Sequence, residues 1–166
     1  MIVMIMGVTG AGKTTVGELL AQQLGWEFAD ADNFHSPVNV EKMRQGIALT
    51  DEDRAPWLRS IHDAMAERSA EGRNVVLACS ALKRAYRNEL RRGLDMRIVY
   101  LRGTKEYILS RLTHRTGHYA TGTLVASQFA GLEVPGKDEA VYEVDVDQPL
   151  PEVVSKIREQ LALHAE

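Results

Sequence analysis

The chain has a single cysteine, Cys79, so no disulfide can form within it and packing alone must hold the fold. A lone thiol fits a reducing compartment, which leads to the expectation of a cytoplasmic protein. Charge of one sign is not in excess either. Lys and Arg number 20 against 23 Asp and Glu, and the net charge of -3 leaves no general basic footprint for nucleic acid. No apolar run is long enough to cross a membrane. The first apolar run stops at Gly7 with no basic residue before it, which argues against a signal peptide. Repeats and low-complexity tracts are absent. What remains is ordinary for one globular domain spanning residues 1–166, with 45% hydrophobic residues.

One segment is far from ordinary. Residues 7–14 match the phosphate-binding pattern G-x-x-x-x-G-K-[ST] in full, with Gly7, Val8, Thr9, Gly10, Ala11, Gly12, Lys13 and Thr14 in order. An apolar run, 2–6, precedes the motif, and a helix-like stretch, 13–24, follows it. In that context, successive backbone N–H groups through Thr15 wrap an anionic phosphate at the positive end of a helix. Lys13 can reach the β- and γ-phosphates of a nucleotide, and the Thr14 hydroxyl can ligate Mg²⁺. The motif thus leads to the expectation of a bound nucleotide with Mg²⁺.

Strand-like and helix-like segments alternate along the chain, which argues for an α/β fold with a mostly parallel sheet of about five strands. The strand candidates are 2–6, 27–30, 74–79, 97–101 and 141–145. Helices are expected near 13–24, 38–45, 51–70, 83–92, 105–113 and 152–163. Thr50 or Asp51 can cap the third helix. The segment 113–135 is polar and punctuated by glycine, and it is a candidate mobile lid.

Several side chains carry possible chemistry. Asp30 and Asp32 lie at the end of the second strand, where alternation points both to one face and toward the ligand crevice. Phosphoryl transfer needs a group that orients the attacking hydroxyl and an anchor for magnesium. Asp32 suits the first role and Asp30 the second. A cationic set follows, comprising His35, Lys42, Arg54, Lys83 and Arg87, which with Asp32 are the candidate substrate-binding residues. Arg54 lies in the first turn of a helix, where a cation gains nothing from the dipole, so it is a candidate to grip a ligand carboxylate. Arg111 and Arg115 are one helical turn apart and lead into the candidate lid, where they could stabilise the transferring phosphate. His114 and His118 lack a third ligand for zinc. Cys79 reads as a buried thiol without a redox role.

Taken together, these segments resemble the gluconate kinases of the shikimate-kinase-like group. The resembling stretches are the phosphate loop, 30–35, 39–43 with Gly46, 49–58, 79–83 with Tyr86 and Arg87, 117–119, 127–129 with Leu132, Glu133 and Pro135, and 145–149. The loop is shared by many nucleotide-binding proteins, whereas the stretches at 30–35, 51–57 and 79–83 are far more specific. The resemblance implies a three-layer α/β/α fold with a lid and a homodimer. It also implies ATP-dependent phosphorylation of D-gluconate to 6-phosphogluconate. By position, Asp32 would orient the acceptor hydroxyl and Arg54 would hold the substrate. His35, Lys42 and Lys83 would surround the sugar acid, Arg111 and Arg115 would be lid-side cations, and Gln148 and Pro149 would lie near the adenine. Thr104 stands where such kinases often carry an aspartate.

Rival readings are a nucleotide switch, another small-molecule kinase of the same fold, and a non-catalytic relative. Neither Asn-Lys-x-Asp nor Asp-x-x-Gly, the usual marks of a GTP switch, occurs in the chain. Shikimate kinases carry a glycine-rich stretch where this chain has Ser80 to Lys83. Intact Lys13, Thr14 and Asp32 weigh against an inactive relative.

Overall fold

The computed structural model describes residues 1–116 and 119–163, with the side chains of 113–116 and 119–122 left aside. Five parallel strands form the sheet: β1 (Ile2–Met6), β2 (Glu27–Asp30), β3 (Val75–Ala78), β4 (Met96–Arg102) and β5 (Val141–Asp145), in the order β2-β3-β1-β4-β5. Parallel pairing with helical crossovers puts layers on both faces, so central strands read as unbroken apolar runs. β1 shows this clearly, because all five of its residues are fully buried. Val3 and Ile5 face one core, and Ile2, Met4 and Met6 face the other. Strand alternation thus feeds two hydrophobic cores from one strand.

The first core is closed by α1 (Lys13–Leu24) and α7 (Leu150–Leu161), with Ile108 from α5 (Lys105–Thr116) and Val125 from α6 (Tyr119–Gly131). The second is closed by α3 (Asp51–Ala70) and α4 (Arg84–Arg91). A short helix, α2 (Pro37–Arg44), leads toward α3. The expected helix at 51–70 and the expected strand at 141–145 coincide with α3 and β5.

α3 begins where a capping box begins. The Thr50 hydroxyl accepts from the Asp53 N–H at 3.1 Å, and the Asp53 carboxylate accepts from the Thr50 N–H at 3.0 Å. Pro56 lies inside α3, in its second turn, where it forgoes the N–H bond to the Glu52 carbonyl without ending the helix.

Two expectations need correction. The carboxyl half of the candidate lid is helical, as α6, despite its glycines. Val125, Gln128, Phe129 and Leu132 recur at helical spacing, and Val125 is fully buried in the first core. The second strand ends at Asp30 as expected, but a 3₁₀ turn, Ala31–Phe34, follows, so Asp32 does not continue the strand. The cause is local: the Asp30 carboxylate accepts from the Asp32 N–H at 2.9 Å and folds the chain out of the strand. Strand alternation therefore does not govern where Asp32 points.

Candidate active site

In a parallel sheet, every strand delivers its carboxyl end to the same edge, and ligands bind in the crevice there. The loop after β1, the turn after β2, the loop after β3 and the segment after β5 all lie along that edge. The Gly7 N–H donates to the Ser80 carbonyl at 3.3 Å, which joins the first and third of these loops.

The phosphate loop adopts backbone angles that side chains resist. Gly10 has φ +87°, and a Cβ there would meet Leu112 of α5 at 2.8 Å. Gly12, at φ +95°, occupies the residue before α1 in the left-handed region. Lys13 donates to the Val8 carbonyl at 3.1 Å, so its ammonium lies over the loop. Burial pushes the Lys13 pKa down, and the charges of Cys79, Asp32 and Asp30 act against that. Burial holds the Cys79 thiol up at about 12, and the side chain is buried as the sequence reading expected.

Asp30 and Asp32 do reach this site. The Thr14 hydroxyl donates to the Asp30 carboxylate at 3.3 Å. Asp30 therefore has two roles, as a turn cap and as the neighbour of the loop threonine. The Asp32 side chain is exposed and makes no hydrogen bond among the described residues. The described residues hold no group of three or more His, Cys, Asp or Glu suited to a metal ion. A cation here would depend on hydroxyl, carboxylate and phosphate oxygens, the donor set that magnesium uses.

Beside Asp32 is a wall built from α3. The Trp57 indole donates to the Ala31 carbonyl at 2.7 Å and stacks on His35, with ring centroids 4.3 Å apart and planes 8° apart. His35 Nδ1 is buried and has no partner among the described residues. Burial lowers the His35 pKa, Asp32 opposes that, and Arg54 reinforces it. Burial and the Arg54 charge thus both disfavour protonation of this imidazole.

The cations divide into three groups. Arg54 donates to the Tyr86 hydroxyl at 3.2 Å, lies 5.8 Å from the Tyr86 ring centroid, and has no carboxylate partner among the described residues. Its acidic neighbours are engaged elsewhere. Asp51 takes Lys83 at 3.1 Å and the Tyr86 hydroxyl, while Asp53 takes Lys42 at 2.8 Å. Lys42 and Lys83 therefore reach the site edge already paired. The Lys42 bond, with Thr50, holds the Asp53 pKa down at about 2, and the Asp51 bond raises that of Lys83.

Arg87 forms the third group, and here the substrate-binding expectation is corrected. Its side chain is fully buried, and every donor is taken. Nε and Nη2 donate to Glu139 at 2.8 and 3.0 Å, Nη1 to the Ala81 and Leu82 carbonyls, and Nη2 also to the Glu133 carbonyl. No donor is left for a sugar. The guanidinium instead fixes the loop after β3, where Ala81 sits at φ +45°, a strained angle for alanine.

On the far side of the loop, Gly12, Thr15, Tyr107, Arg111, Val146 and Gln148 line part of a cleft of about 270 Å³. The Arg111 guanidinium lies 5.8 Å from the Tyr107 ring centroid, close to Gly12. Gln148 donates to the Asp145 carbonyl and accepts from Lys156 at 2.6 Å, and Pro149 is the N-cap residue just before α7. Arg115, His114 and His118 lie outside the described side chains. Thr104 accepts from the Tyr107 N–H at 3.1 Å, so it caps α5 at the position where the resemblance would place an aspartate.

Sequence reasoning missed two contributors, Tyr86 as the partner of Arg54 and Gln128 on α6. The Gln128 side-chain oxygen accepts from the Thr9 N–H at 3.2 Å. A polar residue on the apolar face of a helical repeat was the available signal.

The shikimate kinase family model matches residues 9–161. A gluconokinase of Gluconobacter oxydans is 48% identical over 151 residues, covering 90% of this chain and 84% of that one. This chain belongs to the gluconokinase family. A probable gluconokinase of Mus musculus is 43% identical over 178 residues, covering 96% of this chain and 97% of its own. The crystal structure of a gluconokinase from Sinorhizobium meliloti 1021 superposes with a TM-score of 0.80 at 40% identity, covering 96% of this chain and 94% of that one. The sequence resemblance and the family agree, and the wider shikimate kinase family accounts for the fold.

Proposed function

We propose that this gluconokinase-family protein transfers the γ-phosphoryl group of ATP to D-gluconate, giving 6-phosphogluconate and ADP. The observation that carries this reading is the juxtaposition, along one sheet edge, of the phosphate loop, the unbonded Asp32 carboxylate and an Arg54 without a carboxylate partner. The family relationship supports it.

In this reaction, the terminal hydroxyl oxygen of the sugar acid attacks the γ-phosphorus, the bond to the β–γ bridging oxygen breaks, and ADP leaves. Asp32 orients the hydroxyl and takes its proton. Lys13 offsets charge on the phosphates. Arg54 grips the substrate carboxylate as a two-pronged donor, with Tyr86 behind it. His35, Lys42 and Lys83 border the polyol, the two lysines by leaving Asp53 and Asp51. Thr14 and Asp30 suit Mg²⁺, which neutralises phosphate charge when bound. The cleft walled by Tyr107, Arg111 and Gln148 suits the base, with Pro149 at its rim. Arg111 and Arg115 lead into the segment 113–135, which we read as the lid, and would stabilise charge on the transferring phosphate. A homodimer and a cytoplasmic location complete this reading and rest on the family resemblance and the lone thiol.

The test is an ADP-release assay with Mg-ATP against gluconate, shikimate, AMP and other sugar acids. Turnover with gluconate and not with shikimate is expected. Shikimate is the acceptor to exclude because the matching family model carries that name. Turnover with shikimate alone would overturn the reading.

A further inference from the structure

The side chain of Gln128 reaches the phosphate loop across 119 positions of sequence. It belongs to the apolar stripe of α6, between Val125 at one helical spacing and Leu132 at the next, with Phe129 beside it. Val125 is fully buried, and Phe129 and Leu132 pack against the same core as Val8 and Ala11 of the loop. A carboxamide on such a face is costly unless it is hydrogen-bonded. Half of it is bonded, because Oε1 accepts from the Thr9 N–H at 3.2 Å. A carboxamide also has two N–H donors, and those of Gln128 have no partner among the described residues.

The place where it binds gives this significance. The Val8 carbonyl and the Thr9 N–H belong to one peptide unit and point to opposite sides of it. Lys13 donates to the carbonyl at 3.1 Å, and Gln128 accepts from the N–H at 3.2 Å. One peptide is thus held from both sides, by the lysine whose partner is the β- and γ-phosphates and by a carboxamide with two unspent donors. The packing of Val125 and Phe129 fixes the helix that carries Gln128, so those donors stay at the loop.

We propose that Gln128 contacts the terminal phosphoryl group of the bound nucleoside triphosphate, donating from Nε2 while Oε1 holds the Val8–Thr9 peptide. The contact exists with a triphosphate and is lost with a diphosphate. Gln128 therefore gives the site a preference for the nucleotide that can still donate a phosphoryl group. The inference rests on the kinase reading above.

The experiment is calorimetric binding of a non-hydrolysable β,γ-imido ATP analogue and of ADP, each with Mg²⁺ and without acceptor. It uses the full chain as wild type, Gln128→Met and Gln128→Glu. The methionine keeps the volume and loses both hydrogen-bonding roles. Its affinity for the analogue is expected to fall by about 10- to 100-fold, the scale of a hydrogen bond to a charged group, while ADP affinity changes by less than about threefold. The glutamate keeps an oxygen for Thr9 and replaces the donors with charge, so the analogue is expected to weaken at least as much. If Gln128→Met does not fold, Gln128→Glu decides by the same ratio. Equal weakening of both nucleotides in Gln128→Met would show that the residue only props the loop, and no change in either would show no role. Either result overturns the proposal. Failure of the wild type to phosphorylate gluconate would leave this nucleotide comparison intact, so the two failures are distinguishable.

Discussion

Replacing Asp32 by asparagine keeps the shape of the side chain and removes its ability to take a proton. Asp32 accepts no hydrogen bond through its carboxylate among the described residues, so little structure depends on its charge. Asp32→Asn should therefore leave ATP binding and melting temperature near wild type and lower kcat by about 10²- to 10⁴-fold. Near-normal kcat would remove Asp32 from the proposed role. For Arg54, the fork of donors matters rather than the charge. Arg54→Lys should raise the KM for the sugar acid by at least about tenfold while the KM for ATP stays within about twofold. Equal rises would count against a carboxylate grip. At this scale the sequence was informative where a residue's chemistry alone is its reason for being there. Lys13, Thr14, Asp30, Asp32, His35 and Arg54 all gather at the expected edge. Arg87 was misread because a guanidinium looks the same in sequence whether it faces a ligand or a buried Glu139. Only burial separates the two, and burial depends on what α6 and the segment before β5 bring to it.

Among the elements, α3 does most to arrange the acceptor side, since it carries Asp51, Asp53, Arg54 and Trp57 in its first turns. Its start depends on Thr50, whose hydroxyl satisfies the Asp53 N–H. Thr50→Ala should destabilise the protein by about 1 kcal/mol in urea unfolding. It should also raise the KM for the sugar acid more than that for ATP, because fraying this turn displaces Arg54 and not the phosphate loop. A stability loss with both KM values unchanged would uncouple the cap from the site. α3 was legible because the Thr50 cap and the helical pattern agree over the same residues, and Pro56 did not end it. α6 was not, because glycine and threonine punctuate it and only its packing on the first core shows which face is inside. The end of β2 at Asp30 was legible, but the direction of Asp32 was not, because a single hydrogen bond from the Asp32 N–H to the Asp30 side chain turns the chain out of strand alternation.

Across the whole molecule, Arg87 joins parts distant in sequence: α4, the loop after β3, Glu133 just after α6, and Glu139 before β5. Both side chains of the pair are nearly inaccessible, at 1% and 4% exposure. Arg87→Met leaves a buried carboxylate without its partner and should cost about 3–5 kcal/mol, measured by urea unfolding at neutral pH. The double change Arg87→Met with Glu139→Leu should cost less than the single one. The Arg87 hydrogen bonds hold the Glu139 pKa below the usual carboxylate range. The pair therefore contributes stability above that range and loses it as pH falls through the lowered value. In the single variant, burial without a partner raises that pKa instead, so the gap to wild type should narrow on acidification; a constant gap would mean the pair is not the source. The sequence by itself determined the α/β alternation, the phosphate loop with Lys13 and Thr14, the helix at 51–70 and the reading as a gluconate kinase. These rest on local patterns, in which the period, the cap or the motif lies within a few neighbouring residues. The tertiary structure decided that Arg87 is a buried tie, that Arg54 leans on Tyr86 while Asp51 and Asp53 hold the lysines, and that Gln128 reaches Thr9. Each of these depends on how the fold brings separate segments together, and contacts across 11 to 119 residues leave no periodic trace in the chain.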